Sequence, residues 1–211
     1  MKILLTGFGP FGIHAVNSSQ AIVEAVAQRR ALLGLPDLVT ALLPVEFAAA
    51  GGHIRHLLRE TRPDVCLCLG VHDGAMIRLE KIAWNRDDPT LCDNAGQTGC
   101  PGPIVTESPA FYIATLPVAR LLEILEQGGV PASLSDDAGG YVCNHVFYLA
   151  CHEIAASGLP TRCGFVHVPP IEGVGSLPGL PFEVLLAAVE SILAELREDA
   201  ARQDAAAGMR A

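Results

Sequence analysis

Charge is scarce in this 211-residue sequence: only 18% of residues are Asp, Glu, Lys or Arg, and half are hydrophobic. Such a composition buries a full core and argues against disorder. Positive charge is scarcer still, with 14 Lys and Arg against 23 Asp and Glu, a net charge of −9. No basic stretch offers the electrostatic footprint of a nucleic-acid binder, so DNA and RNA are not expected as partners. Apolar runs of 18 residues are missing, so no segment reads as a membrane-spanning helix. Met1-Lys2 leads directly into Ile3-Leu4-Leu5, too short for the apolar part of a signal peptide, and no cleavage site follows. We therefore expect a cytoplasmic protein. The seven cysteines include no C-x-x-C pair, and their odd number without an export signal reads as reduced thiols. Cys66-x-Cys68 falls on one face of a strand and reads as core; Cys92 and Cys100 read as loop residues and not as zinc ligands. The glycine loop Gly7-Phe8-Gly9-Pro10-Phe11-Gly12 lacks the G-x-G-x-x-G spacing and any Walker lysine. Pro10 also removes an N–H that a phosphate would need. Phe8 and Phe11 suit a flat, uncharged ligand, or alternatively plug the core.

Short apolar runs alternate with amphipathic stretches and no repeats occur. Strands are expected at Lys2–Thr6, Leu38–Val45, Asp64–Gly70 and Thr161–Val168, the last stopped by Pro169-Pro170. Ile77–Trp84 alternates with mixed residues on both faces and reads as an edge or exposed strand. Helices are expected after Asn17, over Phe47–Arg62 (weakened by Gly51-Gly52), Leu116–Gln127 and Val142–Ala156, and from Pro181 onward. Residues 85–108 form a loop long enough to be functional. The alternation predicts a three-layer α/β/α sandwich around a mostly parallel, twisted sheet. We expect a single domain over 1–211, with about 198–211 as a fraying tail.

The chain is organised around Ser135-Asp136-Asp137-Ala138-Gly139-Gly140-Tyr141-Val142-Cys143-Asn144-His145. A short extended piece, Pro131–Ser135, precedes it, and Cys143 falls at the start of the following helix. Unpaired N–H groups and the positive end of the helix dipole favour a thiolate there, which is the nucleophilic form. A thiol nucleophile needs a base, and the base an orienting group. Among the histidines, His53 and His56 read as surface residues on a helix, His14 lies in a loop, and His145 and His152 share the Cys143 helix without facing the thiol. His167, at the carboxyl end of a strand, sits where sites form in open α/β sheets. Candidates for the orienting acid are Glu80, Asp87, Asp88, Asp93, Asp136 and Asp137. Glu80 lies mid-strand, where a carboxylate must be paired if buried; an exposed face beside Lys81 is the alternative.

Together these segments resemble the pyroglutamyl peptidase I family of cysteine peptidases. The resemblance spans nearly the whole chain. It rests on Leu4 through Gly12 followed by Asn17, on Leu79-Glu80-Lys81-Ile82-Ala83-Trp84-Asn85 with Asp93-Asn94 after it, on Ser135 and Ala138 through Asn144, and on Gly164-Phe165-Val166-His167-Val168-Pro169. It implies a Glu80, Cys143, His167 triad and the release of N-terminal pyroglutamate from peptides. It also implies a homodimer or homotetramer, and neither metal nor organic cofactor. A pocket for the lactam ring is then expected from Phe8, Phe11, Tyr141 and Val142. The sequence departs from the family at Ser18, at Lys81, at Thr90 and most in Gly70–Met76, which lacks a polar side chain and an arginine often found there. These changes bear on substrate contacts. The alternative functions are a catalytically impaired binder of blocked N-termini, another cysteine amidase, or a nucleoside-binding protein on the same sandwich.

Overall fold

Alternating apolar faces on the strands divide the core into two halves, one on each side of a central sheet. The computed structural model describes residues 1–12 and 16–208, so His14 lies outside the described residues. The elements are β1 (Ile3–Phe8), α1 (Ser18–Arg29), β2 (Leu38–Leu43), α2 (Phe47–Thr61), β3 (Val65–Val71), β4 (Ile77–Glu80), β5 (Ile82–Trp84), β6 (Phe111–Ile113), α3 (Val118–Gln127), β7 (Ala132–Ser135), α4 (Val142–Ala156), β8 (Arg162–Val168) and α5 (Phe182–Gly208). The main sheet has the order β2-β1-β3-β8-β4-β7. Its first four strands are mutually parallel, and β4 and β7 run against them.

On β1, Ile3 and Leu5 face one side while Leu4 and Phe8 face the other; Leu67 and Leu69 of β3 likewise oppose Cys66 and Cys68. The first set packs under α1, α3 and α5, the second under α2 and α4. This is the expected three-layer arrangement, and α5 continues as helix through the region expected to fray, to Gly208.

Two sequence expectations are corrected. Ile77–Trp84 is not one edge strand. It breaks at Lys81, whose N–H donates to Ser135 O (2.7 Å) while its carbonyl accepts from Ala114 N (2.8 Å). The chain thus changes sheets there: β4 lies inside the main sheet between β8 and β7, and β5 pairs with β6 in a separate two-stranded sheet. That switch explains why both faces look mixed, and it leaves Glu80 fully buried. β6 is too short, at Phe111-Tyr112-Ile113, to show a period in sequence.

The Gly51-Gly52 pair weakens α2 by propensity, yet the first glycine is required by packing. A Cβ on Gly51 would lie 2.5 Å from Leu149 Cδ1 and 3.0 Å from His145 Nε2, because α2 rests directly on α4. A Cβ on Gly52 would meet nothing within 4 Å. Thermal or urea unfolding should therefore separate the two sites. Gly52→Ala should stabilise the protein by about 0.5–1 kcal/mol through helix propensity. Gly51→Ala should destabilise it by about 1–2 kcal/mol through overpacking. Equal shifts would contradict this packing.

Candidate active site

His167 is the penultimate residue of β8, and its side chain leaves the sheet on the α4 face, with Phe165 beneath it. Glu80 projects from the neighbouring strand β4, one register step deeper, opposite Phe165. Glu80 Oε1 lies 2.8 Å from His167 Nδ1, so the ring donates from Nδ1 and leaves Nε2 for the third group. Glu80 is fully buried and its Oε2 has no hydrogen-bond partner among the described residues. A carboxylate in that position is held by its one partner, and an imidazolium serves it far better than a neutral ring.

Cys143 is the second residue of α4. The residue before the helix, Tyr141, is extended (φ −100°, ψ −171°) and no side chain caps the helix start. The first-turn N–H groups beside Cys143 are therefore available to a ligand. The sulfur lies over Gly70 of β3: any side chain at 70 would begin 2.8 Å from Cys143 Sγ and 2.8 Å from Phe165 Cζ. Glycine here leaves room for the thiol to approach the sheet. Burial opposes charge on His167, but the neighbouring Cys143 sulfur and the Glu80 carboxylate outweigh it, and the imidazolium pKa is raised from 6.5 to about 9.

The other acidic candidates are committed elsewhere. Asp87 accepts from His145 Nδ1 at 3.0 Å, in a second buried pair on the far side of α4. Asp88 binds the N–H and hydroxyl of Thr90, which hold its carboxyl below the usual range. For Asp93, burial works against ionisation. The N–H groups of Phe47, Gln97 and Ala95 nevertheless keep the carboxyl low, and the first of these contacts closes the start of α2. Asp136 and Asp137 are exposed turn residues paired with Lys81 and Arg86.

A cleft of about 380 Å³ opens over Cys143 and His167, lined also by Phe11, Tyr141, His72 and Arg78. The rings of Phe11 and Tyr141 lie 6.1 Å apart, and Tyr141 is steadied by Phe47 at 5.6 Å and by its hydroxyl on Cys92 O. Phe8 and Val142, two of the four expected wall residues, do not line the cleft. They are buried in the core beneath it, 2% and 1% exposed, because β1 and the start of α4 turn them onto the sheet.

Three residues near the cleft were not singled out from sequence. Asn144 is fully buried; its Oδ1 accepts from Trp84 N, and its Nδ2 donates to Trp84 O and Arg86 O, tying the helix start to the β5 end. Its place beside Cys143 was the available signal. His72 packs edge-on against His167 at 5.9 Å. Arg78 stands opposite His167 in register, and its signal was the two-residue spacing from Glu80 on one strand face.

The family profile described as pyroglutamyl peptidase matches residues 1–197. The chain is similar to the pyrrolidone-carboxylate peptidase of Gloeobacter violaceus, 36% identical over 204 residues, covering 94% of this chain and 98% of that protein. It is also similar to pyrrolidone-carboxylate peptidase 1 of Ralstonia nicotianae, 41% identical over 182 residues, covering 85% and 83%. Among solved structures, pyrrolidone carboxyl peptidase from Pyrococcus furiosus superposes with a TM-score of 0.85 at 32% identity, covering 94% of this chain and 99% of that one. Pyroglutamyl peptidase I of Bacillus amyloliquefaciens gives 0.83 at 32% identity, with coverages of 90% and 94%. Profile, relatives and solved structures each span most of the sequence, the profile including Glu80, Cys143 and His167, and the chain belongs to the pyroglutamyl peptidase family.

Proposed function

We propose that the protein is a cysteine peptidase that removes pyroglutamate from the N-terminus of peptides, with Cys143 as nucleophile, His167 as acid and base, and Glu80 as the group that orients His167. The observation that carries this reading is the buried 2.8 Å Glu80–His167 contact next to the Cys143 sulfur. With an imidazolium pKa of about 9, a proton taken from Cys143 is held on His167 at neutral pH, which frees the sulfur as the nucleophile. The thiolate attacks the pyroglutamyl carbonyl carbon. First-turn N–H groups of α4 stabilise the oxyanion, each such donor being worth about 3–4 kcal/mol. His167 gives its proton to the leaving amine, forming a thioester, then takes one from the water that cleaves it. Glu80 keeps Nδ1 protonated throughout.

Phe11 and Tyr141 are assigned as walls for the lactam ring, and Phe8 and Val142 as the packing that supports them. A free N-terminal ammonium against the aromatic wall would lose its hydration without gaining a counter-ion, at a cost of several kcal/mol. The alternatives of a binder without activity or another amidase have no observation in their favour. We also propose a homo-oligomer in the cytoplasm. In support, Phe111 and Ile113 of β6 are 43% and 65% exposed beside an apolar recess lined by Tyr112, Ile154 and Leu159. All seven cysteines are unpaired, as in a reducing compartment.

Hydrolysis of a pyroglutamyl-aminocoumarin reporter tests the assignment. Cys143→Ala and His167→Ala should both reduce turnover to background with near-unchanged circular dichroism, while Glu80→Gln should leave partial activity. Near wild-type turnover by Cys143→Ala sinks the mechanism.

The sign of the pH dependence follows from the raised His167 pKa. The active thiolate–imidazolium pair needs His167 protonated, so kcat/KM should fall as pH rises through about 9. Stability contributed by the raised His167 pKa is fully present below 6.5 and is lost as pH rises through about 9. Glu80→Gln removes a charge that favours the imidazolium and should move the alkaline limb to lower pH. A limb that stays in place contradicts the role given to Glu80.

A further inference from the structure

Among the described residues, the cleft beside Cys143 contains one guanidinium without an anionic partner. His167 is paired with Glu80, and Asp137 with Arg86. Asp73 is itself engaged. Both ring nitrogens of His72 face main-chain carbonyls, Nε2 on Met76 O at 2.7 Å and Nδ1 near Asp73 O at 3.1 Å. Burial, with Arg78 and His167 adding positive charge nearby, lowers the His72 pKa against the two carbonyl contacts, which raise it. The Arg78 guanidinium makes no hydrogen bond or ion pair among the described residues. Its backbone is nonetheless rigidly placed, because β4 is paired on both sides: Arg78 faces His167 on β8 and Ser133 on β7. A guanidinium fixed at its base, half-buried, and lining a substrate cleft is a fork without its carboxylate.

The acyl part of the substrate cannot supply that carboxylate. Pyroglutamate is a neutral lactam, and its own carboxyl is consumed in the scissile amide. The anion must therefore come from the leaving side. In a dipeptide, the terminal carboxylate carbon sits only two bonds beyond the scissile nitrogen, about 2.5 Å away. We propose that Arg78 is a carboxylate-binding, specificity-determining residue for the first residue after pyroglutamate, so that the enzyme favours substrates carrying a carboxylate there. Two sources share this chemistry, the α-carboxylate of a pyroglutamyl dipeptide and the side chain of an acidic second residue.

The proposal rests on the peptidase reading above, and one set of kinetic measurements separates their failures. Wild-type enzyme, Arg78→Gln and Arg78→Lys are assayed on pyroglutamyl-alanine against its C-terminal amide, and on pyroglutamyl-aspartate amide against pyroglutamyl-asparagine amide. Each enzyme is scored by the ratio of kcat/KM within a pair, so any general loss from altered folding cancels. The wild type should prefer the carboxylate member of at least one pair by about tenfold, mainly through KM. Arg78→Gln should bring that ratio near one, with Arg78→Lys between, since it keeps the charge and loses the fork. The pair that shows the effect identifies the carboxylate source. Wild-type ratios near one in both pairs overturn the proposal while leaving the peptidase reading intact, even if neither variant folds. A preference unchanged in Arg78→Gln also overturns it. Turnover of none of the four substrates by wild type overturns both.

Discussion

A buried carboxylate with one partner is the constraint on which the site depends. Glu80 is fully enclosed, with one oxygen bound to His167 and the other without a partner among the described residues. Left alone, such a charge would be expelled or neutralised. The fold keeps it by placing an imidazole against it and a sulfur against the imidazole, so that the three groups share charge in a space that excludes most water. Within that space, each group's state depends on the next. Burial by itself would push the His167 proton off; the Cys143 and Glu80 charges hold it on, and they win.

The geometry comes from two elements meeting a short strand. β8 ends at the right height because Pro169-Pro170 allows no further ladder. β4 runs antiparallel to it and places Glu80 one step below His167 and Arg78 level with it. The strand before Cys143, β7, also runs against the parallel set, so its carboxyl end stops at the level of Glu80 and not at the sheet edge. The turn over residues 136–141 must bring the chain back to start α4 above Gly70. Asn144 then locks the helix start to the end of β5, and the close fit of Gly51 against Leu149 sets the depth of α4 beside α2.

Most of this frame was legible in the sequence. The parallel strands, α2, α4 and the carboxyl-end position of His167 follow from local patterns of apolar residues, glycine and proline. The expected boundaries of α4, Val142–Ala156, are those observed. What local pattern could not carry was partner choice. Lys81 looked like one more alternating position, yet its two backbone groups bond to different sheets. Glu80 as the partner of His167 was suggested by the resemblance; by position alone it competed with five aspartates, whose actual contacts lie 2 to 58 residues away in the chain. Phe8 and Val142 were assigned to the pocket on chemistry that both possess. Their depth depends on strand alternation and helix phase at the junction, and these turn them into the core.

Glu80 and His167 are proposed to activate Cys143 as the nucleophile. Alkylation with iodoacetamide under limiting reagent, followed by peptide mass spectrometry across pH 5.5 to 9, tests it most directly. The account predicts that Cys143 is modified faster than the other six thiols. It also predicts that His167→Ala slows modification of Cys143 across this range while leaving Cys92 unchanged. Slow modification of Cys143, rising only as pH approaches 8.5 and matching exposed Cys92, would contradict it.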